Sequence, residues 1–148
     1  MNLQDYSNLA TALTFLVALV AAIFGLRQVV ELKRSIHLSA FLAVVNYLQD
    51  EQVRVARGTL MGLSGRDIQS WSKEEREAAD LAVRRFNSVA IMIRKGLIPI
   101  HFVLPEWENS LRLCRRSAQP LIAEYRSQRG ERYWHELESL VRLGDRQV

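Results

Sequence analysis

The chain has 148 residues, 49% of them hydrophobic, and a formal net charge of +4 from 20 Lys and Arg against 16 Asp and Glu. A single cysteine, Cys114, excludes an internal disulfide and fits a reducing compartment. Three histidines with no Cys/His cluster at metal-ligand spacing exclude a structural zinc site, and no cofactor motif is present.

The first element in chain order is apolar. No charge occurs from Tyr6 to Leu26, and the stretch from Leu9 to Leu26 would span about 27 Å as a helix, close to the roughly 30 Å of a hydrocarbon core. A buried helix of a soluble domain usually carries a polar face. A cleaved signal peptide wants a positive segment before a short apolar core, then a small-residue cleavage site. Here Asp5 is the only early charge, and the first cation, Arg27, follows the run. The pattern reads as an uncleaved membrane anchor over residues 1–28, with a cytoplasmic helical bundle over 29–148. All Lys and Arg residues lie after the apolar run, with Arg27, Lys33 and Arg34 close behind it. Cations at a membrane end favour the cytoplasmic side, so the expected topology is a single pass with the N-terminus outside and the rest of the chain in the cytoplasm. The same three side chains are expected to contact anionic lipid headgroups.

Small residues recur along this helix at Ala10, Thr14, Ala18 and Ala22, and Ala21 with Gly25 forms a second small-xxx-small pair. Between membrane helices, close backbone approach at small residues supplies packing energy. Ala and Gly are also common in any membrane helix. The stripe predicts association with a second copy or with another membrane protein, and a small cytoplasmic core also favours oligomers.

From Arg27 to Gln49 there is no Pro or Gly, and Val29, Leu32, Ile36, Leu38, Leu42, Val45 and Leu48 continue the apolar pattern, the later ones at amphipathic helical spacing. The spacing predicts a helix that continues past the anchor or bends near Ser35 to Ser39. Asp50-Glu51 is placed to open a short helix through Val53, Ala56, Leu60 and Met61, ended by a loop at Gly62, Ser64 and Gly65. Ser72-Lys-Glu-Glu75 is a capping box, and the helix it opens carries Ala79, Val83, Phe86, Ala90 and Ile93 on one face. Gly96 after Arg94-Lys95 is a C-terminal stop. The next helix is expected to begin at Pro105 and to use Trp107, Leu111, Leu113, Cys114 and Leu121, with Pro120 kinking or dividing it. A last helix is expected from Glu131 through Tyr133, Trp134, Leu137, Leu140 and Val141. No stretch alternates with a strand period. The predicted class is all-α: a single transmembrane helix continuing into a bundle of four to five helices.

The order of parts resembles a family of small bacterial membrane-anchored helical proteins known only as a domain of unknown function. The likeness rests on the anchor, the Gly96-Leu-Ile-Pro99 turn, Trp107, and the Arg126, Gly130 and Tyr133-Trp-His-Glu-Leu137 ending. The layout is more weakly similar to membrane accessory proteins of type VI CRISPR systems. That resemblance implies an oligomeric, membrane-perturbing or pore-forming effector with a HEPN-like domain, acting in bacterial antiviral defence. The HEPN ribonuclease signature pairs an Arg with a His four to six residues on, and Arg129-Gly-Glu-Arg-Tyr-Trp-His135 has that spacing. A cation holding phosphate and an imidazole working on a ribose 2′-OH would suit RNA cleavage. Gly130 departs from the signature, which usually has a polar residue after the Arg. A solvated Arg129 beside a packed helix carrying His135 is the plainer reading.

Arg outnumbers Lys 17 to 3. Arg112, Arg115 and Arg116 form the densest cluster, a candidate anion site for a nucleotide, RNA or lipid headgroup. Acids are interspersed, however, and salt bridges between subunits are the favoured use of the excess Arg. Trp71, Trp107 and Trp134 read as core or interface anchors, and His37 and His101 as isolated. Gly62-Leu-Ser-Gly65 lacks the Lys and the helix context of a phosphate loop. The favoured reading is a non-enzymatic homo-oligomeric membrane effector or scaffold, the alternative a membrane-tethered HEPN-like ribonuclease or RNA-binding module.

Overall fold

The computed structural model describes residues 3–145, apart from the side chains at 3, 5–7 and 9. The expectations placed on the side chains of Asp5, Tyr6 and Leu9 lie outside the described residues. Six α-helices follow one another among those described: α1 (Leu3–Gln49), α2 (Glu51–Gly62), α3 (Lys73–Arg94), α4 (Ile100–Ser117), α5 (Gln119–Arg129) and α6 (His135–Asp145), with a 3-10 turn over Ile68–Ser70. Every regular element among the described residues is helical. The chain divides into two compact units at Leu38 and Ser39, inside α1.

In the first unit, Leu13, Phe15, Leu16, Val17, Leu19, Val20, Ile23, Phe24 and Leu26 are all exposed. These residues occupy every side of the helix rather than one stripe, the pattern of a helix buried in a large core or in a bilayer. Thr14 donates from its hydroxyl to the Ala10 carbonyl at 2.9 Å, so this polar group is satisfied within the helix.

The second unit is a bundle built around α3, which packs against α2, α4, α5 and α6. Ser72 starts α3 through the complete capping box, its hydroxyl accepting from Glu75 N–H at 3.1 Å and the Glu75 carboxylate accepting from Ser72 N–H at 2.8 Å. Ala79, Val83, Phe86 and Ala90 are buried as one face, and Ile93 packs against its edge. At the other end Gly96 takes φ +70°, and Gly96 N–H and Leu97 N–H donate to the Ile93 and Met92 carbonyls. That pair of bonds is a Schellman stop, which a side chain at Gly96 would strain. Asp50 caps α2 by accepting from Gln52 N–H, and Val53, Ala56 and Leu60 turn inward.

Four expectations are corrected. α4 begins at Ile100 rather than at Pro105, because Val103 and Leu104 are buried in its first turn. Pro105, on the exposed side, costs that turn only one N–H···O bond. The last helix begins at His135 rather than near Glu131: Gly130 (φ +100°) and Trp134 (φ +54°) hold the chain in left-handed turns. Leu38 and Leu42 are exposed, and Val44 and Leu48 supply the buried face of the end of α1. Leu113 also faces outward. Pro120 divides the helical run as expected, falling in the first turn of α5 after the Ala118 corner.

Candidate functional site

The small-residue positions Ala10, Thr14, Ala18, Ala21, Ala22 and Gly25 are exposed along α1. Ala10, Thr11, Thr14, Phe15 and Ala18 line a shallow groove of about 510 Å³ on the helix surface. A Cβ built at Gly25 meets no atom within 4 Å, so nothing inside this chain requires glycine there. Arg27, Lys33 and Arg34 are exposed further along the same helix.

In the bundle, arginine forms many ion pairs, and those of Arg76, Arg94, Arg112 and Arg126 tie helices together. Arg54, Arg66, Arg76, Arg84, Arg94, Arg112 and Arg126 all form ion pairs within the chain. Arg76 joins α3 to α5 through both oxygens of Glu124 at 3.0 Å, and also donates to the Ile68 carbonyl. Arg57 and Arg85 lie over the rings of Phe86 and Tyr47. Some of these ion pairs lie within one helix turn in the sequence and others join distant segments, and together they give part of the Arg excess an internal use.

The cluster of Arg112, Arg115 and Arg116 is not uniform. Arg112 pairs with Glu108 at 2.6 Å and with Asp145 at 3.0 Å. Arg115 and Arg116 form no ion pair among the described residues, and Arg115 Nε is fully buried with no hydrogen-bond partner. A cavity of about 460 Å³ between the ends of α4 and α6 is lined by these three arginines with Gln119, Val141 and Asp145. Glu138, on α6, is pulled two ways. Burial raises its carboxyl, but the hydrogen bonds and charge of Arg126, with the fields of Arg115 and Arg142, more than offset this and hold it below the ordinary value.

Arg129 and His135 engage different groups. The Arg129 guanidinium lies 4.9 Å from the Tyr125 ring centre and 5.3 Å from that of Tyr133, and it donates to the Tyr133 hydroxyl at 2.9 Å. His135 opens α6, exposed, with Nδ1 3.3 Å from the Ser139 hydroxyl. The turn between them is fixed from elsewhere. Arg126 Nε donates to the Tyr133 carbonyl at 3.0 Å, and Leu137 N–H donates to the Asn87 side chain of α3 at 3.2 Å. Trp134 is buried edge-on against Tyr125, its ring centre 5.0 Å away. That packing sustains a left-handed conformation which bulky residues rarely adopt.

Trp71 and Trp107 are buried as core anchors like Trp134. Burial pushes the Cys114 thiol up to about 12 despite the opposing charge of Arg57, so it is not a thiolate near neutral pH. No group of three or more His, Cys, Asp and Glu suited to a metal occurs among the described residues. Compared with known proteins, the chain matches no family model, no curated protein and no solved structure.

Proposed function

We propose that this chain is a membrane-anchored, homo-oligomeric helical scaffold of the bacterial inner membrane, with the part of α1 up to Leu26 as its single span. The observation that carries the reading is the exposure of the apolar side chains between Leu13 and Leu26 on every side of the helix. Leaving so much apolar surface in water is unfavourable at roughly 25 cal/mol per Å², whereas lipid accepts it and a helix satisfies its own backbone. An 18-residue window within this helix has a mean hydropathy of 2.1 and is 0% buried. Arg27, Lys33 and Arg34 support a topology in which the bundle stays cytoplasmic and meets anionic headgroups beside the anchor.

The groove at Ala10, Thr14 and Ala18, with Ala22 and Gly25 beyond it, supports association of like spans by close backbone approach. The test is crosslinking in membranes. The wild-type chain gives a ladder of crosslinked species, and a variant carrying Ala18→Leu, Ala22→Leu and Gly25→Leu stays in the membrane with the ladder depleted. An unchanged ladder would move assembly to the bundle, and crosslinking of monomers alone in the wild type would remove the oligomer. Depolarisation of expressing cells that disappears with the same triple variant would mark the assembly as membrane-perturbing rather than a passive scaffold.

A further inference from the structure

Arginine in this bundle is nearly always spoken for, which makes the cavity between the ends of α4 and α6 unusual. It holds about 460 Å³, within the range of small-ligand sites. Of its three arginines, Arg112 is neutralised by Glu108 and Asp145. Arg115 and Arg116 are not paired with any carboxylate among the described residues, and Arg115 Nε–H is buried without an acceptor. One N–H of this half-buried guanidinium is thus withdrawn from water and unpaired, which is unfavourable, and folded proteins keep few such groups. Glu138 on α6 feels the Arg115 charge but makes its ion pair with Arg126, at 3.3 and 3.0 Å.

We propose that this cavity is an anion site that takes a terminal phosphate group. Two guanidinium groups without an ion-pair partner among the described residues suit the two negative charges of a phosphate monoester, and their planar forks match its oxygens. Asp145 on the wall pairs with Arg112 and opposes any anion there, so the attraction has to come from Arg115 and Arg116. The volume exceeds a bare phosphate and one wall is Val141, so the group that carries the phosphate has room beside it. A soluble phosphate ester and a lipid phosphomonoester headgroup present the same chemistry. The inference is independent of whether α1 spans a membrane.

The test is calorimetric titration of pyrophosphate into the full chain in neutral detergent at fixed ionic strength. Saturable binding is expected, weakened tenfold or more by Arg115→Gln, less by Arg115→Lys, which keeps charge but loses the fork, and unchanged by Arg54→Gln on α2. Arg116→Gln, at an exposed position, carries the same expectation without disturbing the core, so a poorly folded Arg115 variant does not block the result. No saturable binding, or equal affinity in the wild type, Arg115→Gln and Arg116→Gln, would overturn the site. Repeating the titration in phosphatidylcholine nanodiscs with and without phosphatidic acid separates the two sources, each outcome supporting the site. Phosphatidic acid that displaces pyrophosphate marks a lipid ligand, and pyrophosphate binding equally in both marks a soluble one.

Discussion

The helix up to Leu38 and the bundle from Ser39 onward use similar apolar side chains and dispose of them in opposite ways. In the helix, Phe15 is 72% exposed and Leu26 69% exposed. In the bundle, Phe86 is 1% exposed, and Leu60, Leu111 and Leu137 are similarly enclosed. The bundle gains stability by hiding apolar area within its own chain. The helix gains none that way, so its surface has to be matched by a solvent or a partner outside the chain. Composition alone does not separate the two regions. Periodicity does, because Ala79, Val83, Phe86 and Ala90 repeat on one face while Leu13 to Leu26 surround theirs.

That contrast is broken most sharply by one deletion made twice. Phe86→Ala removes a buried ring and is expected to cost about 3–5 kcal/mol, a large share of a small domain's stability. Phe15→Ala removes an equal ring from the exposed helix and should leave the bundle's unfolding unchanged. Thermal unfolding of both variants in detergent checks the pair, and equal shifts would mean that the two regions share one core. Ala18→Arg acts in the other direction, placing a charge in the middle of the apolar helix. It should cost about 2.5–3.5 kcal/mol of membrane insertion with the bundle's melting temperature preserved, as membrane fractionation and unfolding would show together.

The bundle's local signals were legible in the sequence because each depends on residues a few positions apart. The Ser72 and Glu75 box, the Gly96 stop and the division at Pro120 are of this kind. The features without a local signature depend on distant partners. The start of α6 is set by Asn87, 50 residues away in the chain, by Arg126 capturing the Tyr133 carbonyl, and by the burial of Trp134. Pro105 looked like a first turn, since the burial of Val103 and Leu104 ahead of it has no local signature. The same division applies to the candidate site. The i, i+3, i+4 spacing of Arg112, Arg115 and Arg116 showed one helix face, but only the fold shows Asp145 claiming Arg112 and leaving Arg115 without an acceptor. Likewise, the Arg129 and His135 spacing was readable, whereas the stacking of Arg129 on Tyr125 and Tyr133 was not.

Smaller effects sharpen the account of the bundle. Asn87→Ala removes the side chain that receives Leu137 N–H and should cost about 0.5–1.5 kcal/mol, read as a lower denaturant midpoint with an unchanged slope. An unaltered midpoint would mean that water replaces the Asn87 oxygen at no cost. Acid exposes a further contribution. The Glu138 carboxyl lies below its ordinary value of 4.5 in the folded protein, so its ionised form favours folding. That stabilisation is present above pH 4.5 and is lost as pH falls from there through the folded value. Glu138→Gln should therefore flatten the acid limb of the stability profile while lowering stability near neutral pH. An acid limb as steep as the wild type's would assign it to other carboxylates such as Glu75, which Arg66 and the Ser72 N–H hold low.

The central claim is that the exposed apolar helix has lipid as its solvent. Alkaline carbonate extraction of membranes from cells expressing the full chain tests it most directly, because this treatment strips peripheral proteins and leaves spanning helices in place. The account predicts that the wild-type chain stays with the membrane pellet and that Ala18→Arg shifts it toward the supernatant. Quantitative release of the wild-type chain into the supernatant would contradict the account and assign the apolar face of α1 to a protein partner.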